Sequence, residues 1–228
     1  MATQLDLQEQ EQLDSLKAFW KKYGNPLTWL VIVVLGAYAG WNVWNYWQRD
    51  QGFKAGALYE ELDRSVAAND AEKAQRAWTD LQTKFPKTAF AEQGALLVAK
   101  FQFDKGQLEA ARTALTWLGD NGKQEEARTI ARLRLAGLLH AEQKYDEALK
   151  ALDAATAAGF EHLVADRRGD VLLAQGKSDE ARVAYQAAWA AMDDQLDYRR
   201  VVDAKLTALG APPAPASAPA LAASGVAK

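Results

Sequence analysis

The sequence predicts an all-α protein: one N-terminal transmembrane helix, then a right-handed α-solenoid of about four helix pairs, closed by a capping helix. Three observations predict it. Leu27 to Trp47 is an uncharged apolar run of 21 residues. From Gly56 to Leu209 the chain is rich in Ala, Leu, Glu, Gln, Lys and Arg, with apolar residues at helical spacing and no alternating β-branched run. Within that region short segments recur at intervals of 33 to 37 residues.

The apolar run reads LTWLVIVVLGAYAGWNVWNYW. At ~1.5 Å of rise per residue it spans a hydrocarbon core of ~30 Å. A cleaved signal peptide is the competing reading, with Ala37-Tyr38-Ala39 as its cleavage box. Three features favour a retained anchor. The preceding segment is long and carries Asp6, Glu9, Glu11 and Asp14, unlike a compact basic leader. Apolar character continues past the box to Trp47. Aromatic residues flank both ends, as an interfacial belt would: Trp20, Tyr23 and Trp29, then Trp44, Tyr46 and Trp47. Lys17, Lys21 and Lys22 precede the run, and Arg49 and Lys54 follow it. This bias places residues 1–26 as a cytoplasmic tail, 27–47 as the span, and the rest beyond the membrane. Gly36 and Gly40 form a small-xxx-small face on which a second helix can pack, although glycine is common in such helices. Asn42 and Asn45 share a face, where they either bond a partner or lie in the interface.

Residues 48–209 form the repeat domain. Breaks at Asn69-Asp70, Phe85-Pro86-Lys87, Lys105-Gly106, Gly119-Asp120-Asn121-Gly122, Ala158-Gly159 and Gln175-Gly176-Lys177 leave helices of about 12 to 18 residues joined by tight turns. Lys144-Tyr145-Asp146-Glu147-Ala148 matches Lys177-Ser178-Asp179-Glu180-Ala181, and the match runs on through Ala154-Ala155 and Ala187-Ala188. The segments starting at Gly106 and Asp70 align upstream. A period near 34 is that of the tetratricopeptide repeat. Where two helices cross, each needs a small residue. Ala99, Ala136 and Gly169 supply it on first helices, and Ala74, Ala111, Ala148 and Ala181 on second helices. Trp78, Leu115, Leu152 and Tyr185 fill the space beside them. The first helix of the first pair fits this pattern poorly. Gln195 to Leu209 reads as the capping helix, and the Pro/Ala-rich residues 210–228 as a disordered tail.

Composition narrows the function. A net charge of -3 gives no footprint for nucleic acid, and the lack of cysteine removes disulfides, thiolate chemistry and Cys-based metal sites. His140 and His162 form no ligand pair at helical spacing. No metalloprotease, hydrolase or phosphate-loop motif is present. The expectation is a protein without catalytic residues, cofactor, metal or small-molecule substrate. What remains is a binding surface. First helices line the concave side of such a stack, and the register places Leu96, Lys100, Phe103, Ile130, Leu133, His140, Asp166, Asp170 and Leu173 there. Each is open to two readings, a groove that holds an apolar stretch of another protein or internal packing. Lys100 is expected to stand opposite acids, which disfavours a clamp for a free C-terminal carboxylate.

Several segments also carry a resemblance. The Gln/Glu-rich start Leu7-Gln8-Glu9-Gln10-Glu11-Gln12, the tail Phe19-Trp20-Lys21-Lys22-Tyr23-Gly24-Asn25, one Trp-rich span, and Lys84-Phe85-Pro86-Lys87-Thr88-Ala89-Phe90-Ala91 between the first two pairs are similar to the ancillary SecYEG translocon subunit, or YfgM-like, family. The resemblance covers about residues 1–209, and no family signature covers the Pro/Ala tail. It implies a non-catalytic subunit of the bacterial inner membrane, with its repeat domain in the periplasm. The implied partners are Sec translocon subunits, a membrane-anchored periplasmic chaperone of the prolyl-isomerase type and exported client proteins. A link to a cytoplasmic stress-response regulator is also implied. The alternative is an anchored repeat scaffold for another envelope assembly, such as cytochrome maturation, pilus or division machinery.

Overall fold

The computed structural model describes residues 7–193 and 196–212. Among them the backbone forms nine α-helices and no strand: α1 (Leu7–Ala67), α2 (Ala71–Lys84), α3 (Ala89–Asp104), α4 (Leu108–Asn121), α5 (Glu125–Ala141), α6 (Tyr145–Asp153), α7 (Glu161–Ala174), α8 (Ser178–Ala190) and α9 (Arg199–Ala208). The chain divides into two compact units, 1–53 and 54–228. Most of the Pro/Ala tail, residues 213–228, lies outside the described residues, as does Gln195.

In the first unit the helix begins well before the apolar run. The leading segment is rich in Leu, Gln, Glu and Lys, which are strong helix formers, and the helix runs on through Gly24-Asn25-Pro26 into Leu27. Pro26 falls inside α1, where it has no amide hydrogen to give the carbonyl of Lys22. The apolar stretch exposes side chains on every side, including Trp29, Leu30, Val33, Tyr38 and Val43. Its most apolar window has no residue buried inside the described protein. A helix that is apolar all round and uncovered needs lipid or a partner to remove that surface from water. The stretch is long and apolar enough to cross a membrane. The side chains of Thr28 and Asn42 donate to the carbonyls of Gly24 and Tyr38, 2.7 and 3.1 Å away, so the Asn42 amide bonds within its own helix. Gly36 and Gly40 have open space where a Cβ would stand.

The second unit is built on a repeated turn. Asn69, Gly106, Gln143 and Gly176 each adopt a positive φ, between 60° and 78°, at spacings of 37, 37 and 33 residues. The residue after each closes the same reverse bond onto the helix before it. Asp70 N donates to Ser65 O, Gln107 N to Gln102 O, Lys144 N to Leu139 O and Lys177 N to Leu172 O, at 2.8 to 3.0 Å. This satisfies a carbonyl left over at each helix end and turns the chain back. The turn at Gln143 carries no Gly, Pro or Asn, and composition alone does not mark it as a break.

The small residues sit where the spacing expects them. Ala74, Ala111, Ala136, Ala148 and Ala181 are fully buried, and Ala99 nearly so. The larger partners Trp78, Leu115, Leu152 and Tyr185 are all buried. At Gly169 a Cβ would come within 2.4 Å of the Tyr185 ring, so the bare backbone is what lets α7 and α8 meet. Trp78 and Trp117 meet edge to face at 5.1 Å, joining α2 to α4. The poorly fitting first helix is the end of α1, whose Ala55 and Leu62 share one core with Ala74, Trp78 and Leu81.

Three details differ from the sequence-based expectation. Gly119-Asp120-Asn121 continues α4, because Gly119 is a close-approach residue. A Cβ there would lie 3.3 Å from Arg132 Cγ, and Arg132 Nη2 donates to its carbonyl at 2.6 Å. The helical match through Ala154-Ala155 fails, and α6 stops at Asp153. Tertiary bonds replace the helical ones there: Ala154 O accepts from Arg132 Nη1 at 2.5 Å, and Ala157 N donates to Thr129 Oγ1 at 3.1 Å. The last helix starts at Arg199, later than Gln195.

Candidate functional site

First helices α3, α5 and α7 present one side to a groove of about 610 Å³. Its floor is apolar: Phe103 from α3, Leu115 from α4, Ile130, Leu133 and Leu138 from α5, and Leu163 from α7. Phe103 is 51% exposed, a large ring left uncovered by the described residues. Tyr198, just before α9, and Phe160, just before α7, also line it.

Of the nine residues expected on this side, Lys100, Phe103, Ile130, Leu133 and Asp166 line the groove. The other four do not. Leu96 packs against the first core cluster. His140 pairs with the Tyr145 ring at 5.9 Å. Leu173 is exposed away from the groove, and Asp170 is taken up in an ionic network.

That network centres on Asp166, which is only 3% exposed. Lys205 Nζ on α9 donates to its two oxygens at 2.7 and 2.9 Å, and to Asp170 Oδ1 at 2.6 Å. The Tyr198 hydroxyl donates to Asp166 Oδ2 at 2.7 Å, and the Tyr185 hydroxyl to Asp170 Oδ1 at 2.9 Å. Buried carboxylates are costly unless paired and hydrogen-bonded, and here both conditions hold. The pair therefore anchors α9 to α7. Residues at 37-residue intervals act alike: Glu92 accepts from the amides of Lys123 and Gln124 ahead of α5, and Thr129 accepts from that of Ala157 ahead of α7. These three buried polar side chains, Glu92, Thr129 and Asp166, each tie down the segment leading to, or forming, the next layer.

Burial, then the neighbouring carboxylates, push both tyrosine hydroxyls well above their ordinary value of 10.0. The folded state keeps these protons longer than the unfolded chain does. The hydroxyls' contribution is whole below about pH 10 and declines above it, as unfolded tyrosines ionise first. Stability measured by chemical denaturation should fall from about pH 10 upward, and less steeply in a Tyr185→Phe, Tyr198→Phe variant. Equal slopes in the two proteins would exclude these hydroxyls as the cause.

Sequence reasoning missed Arg134, Phe160, Leu163, Arg167 and Tyr198 of the groove. Arg134 lies one turn beyond Ile130 on α5, so helical spacing was a usable signal for it. Phe160 and Tyr198 lie in irregular segments, where spacing carries no such signal. Among the described residues no cluster of three or more acidic or histidine side chains could hold a metal ion.

Helix pairs that meet through small crossing residues at recurring intervals define an all-α repeat protein. Residues 17–211 match the family model described as a tetratricopeptide repeat-like domain. The chain is 34% identical over 212 residues to the ancillary SecYEG translocon subunit of Neisseria gonorrhoeae, covering 89% of this chain and 98% of that one. It is 30% identical over 182 residues to the protein of that name in Escherichia coli K12 (78% and 86% covered), and 27% identical over 182 residues to that of Haemophilus influenzae (80% and 89%). The chain belongs to the family of ancillary SecYEG translocon subunits, with a tetratricopeptide repeat-like domain.

Proposed function

We propose that this protein is a non-catalytic, single-pass subunit of the bacterial inner membrane that associates with the Sec translocon through a periplasmic repeat domain and helps exported proteins reach periplasmic chaperones. Its parts are then a cytoplasmic tail (1–26), a span (27–47), a right-handed solenoid of about four helix pairs with α9 as its cap (48–209), and a Pro/Ala tail (210–228). The observation that carries the binding role is the apolar groove, with the half-exposed Phe103 ring beside Ile130 and Leu133. An open apolar surface of this kind suits an extended or helical segment of another protein. The names of the relatives support the translocon as the place of action. Gly36 and Gly40 are the proposed contact face in the membrane, since open space surrounds both.

Two experiments test this reading. Protease added to the periplasmic side of the membrane should digest the repeat domain and leave a fragment of about 50 residues, the orientation that three basic residues before the span against two after it favour. A protected repeat domain would reverse the topology. A Phe103→Ser, Ile130→Ser, Leu133→Ser variant should lose photocrosslinks from position 100 to translocon subunits and exported chains. Each change should cost less than the ~2–5 kcal/mol of truncating a fully buried aliphatic side chain. Unchanged crosslinks in a folded variant would move the contact elsewhere, and crosslinks to other envelope assemblies alone would favour the scaffold alternative.

A further inference from the structure

The groove carries the opposite charge to the chain that contains it. The whole sequence has a net charge of -3. Yet Lys100, Arg134 and Arg167 line the groove, with Asp166 as the only carboxylate among its lining residues. Asp166 and Asp170 share the one ammonium of Lys205, and accept the Tyr198 and Tyr185 hydroxyls respectively, so about one negative charge of the two is offset by Lys205. The acids expected opposite Lys100 are therefore turned inward, toward α8 and α9, and the one charge that Lys205 leaves over offsets only part of the three bases.

The three bases are available. Arg134 is exposed and has no hydrogen-bond or ion-pair partner among the described residues. The ion pair from Arg167 to Asp170 is loose, at 3.9 Å, while Asp170 holds Lys205 at 2.6 Å. Lys100 meets Asp104 one turn on, in a surface pair of the kind that contributes little and exchanges readily. Arg167 lies over α5 at Gly137, one turn from Arg134: a Cβ at Gly137 would make an ordinary contact with Arg167 Nη1, at 3.7 Å.

We propose that the groove takes an apolar segment of a partner protein that carries carboxylates on its flanks, with Arg134 and Arg167 as their principal contacts. This rests on the groove reading above and adds the chemistry of its occupant. Guanidinium groups are suited to planar, two-point bonding of carboxylates, and charge at the edge of an apolar groove selects between partners that are equally apolar. The chain's own residues 210–228 contain no Asp or Glu, so they lack the matching charge.

Full-length protein in lipid nanodiscs and fluorescent 16-residue amphipathic peptides provide the test. Three peptides share one Leu/Phe face and carry Glu, Gln or Lys at every polar position, and a fourth is the sequence of residues 210–228. The Glu peptide should bind about tenfold tighter than the Gln peptide, ~1.4 kcal/mol, the sum expected of two or three exposed pairs. The gap should narrow at high salt. An Arg134→Glu, Arg167→Gln variant with an unchanged melt should abolish the preference and keep binding to the Gln peptide. Equal affinities, or a preference for the Lys peptide or for the chain's own tail, overturn the charge assignment and leave the groove standing. Binding by none of them overturns both.

Discussion

Replacing Gly169 by valine is expected to destabilise the repeat domain by about 3 kcal/mol or more. A Cβ at this position would stand 2.4, 2.6 and 2.9 Å from three ring carbons of Tyr185. That ring has little freedom to retreat. It is buried to 1% exposure, packs against Ala181, Ala188 and Val202 in one cluster, and is tied by its hydroxyl to Asp170. The clash thus forces α7 and α8 apart, and a melting temperature lower by about 6–12 °C should result. Gly137→Ala is the matched comparison. Its Cβ would make an ordinary contact at 3.7 Å, and alanine favours a helix over glycine by ~1 kcal/mol. That variant should melt at or above the parent temperature. Similar losses in both would mean that Gly169 is not a crossing residue.

Lys205→Met should cost about 3 kcal/mol, through the two carboxylates it leaves behind. The change keeps most of the apolar stem of Lys205 and removes the ammonium that holds both Asp166 and Asp170. Asp166 is then a nearly buried carboxylate with only the Tyr198 hydroxyl to solvate it. Breaking a buried pair by removing one partner costs more than the pair itself contributes. The loss should be local, with amide exchange in α9 accelerating well before that in α3 to α5. Lys100→Met removes an exposed charge from a surface pair and should stay within about 0.5 kcal/mol of the parent. A normal melt and unchanged α9 exchange in Lys205→Met would show that Val202 and Leu206, only 0% and 1% exposed, hold the cap by packing alone.

The sequence by itself determined the helical class, the apolar run, the period and the crossing residues. These properties are local or periodic. A helix shows its buried face at intervals of three and four residues. A repeat exposes its crossing points by recurrence, as Ala111, Ala148 and Ala181 do. Tertiary structure alone decided matters that depend on residues far apart. The turn at Gln143 forms with no special residue, because the helices on either side and the bond from Lys144 N to Leu139 O hold it. Helix α6 ends early because Arg132 and Thr129, more than 20 residues away, bond the backbone that would have continued it. The groove shows the same division. Helical spacing placed Phe103, Ile130 and Leu133 on one side, since it reports direction. It could not tell that Lys205, 39 residues beyond Asp166, would draw both acids toward α9 and offset one of their two charges, leaving the bases of the groove in excess. Charge balance at a site depends on which groups meet in space, and only the folded chain brings those groups together.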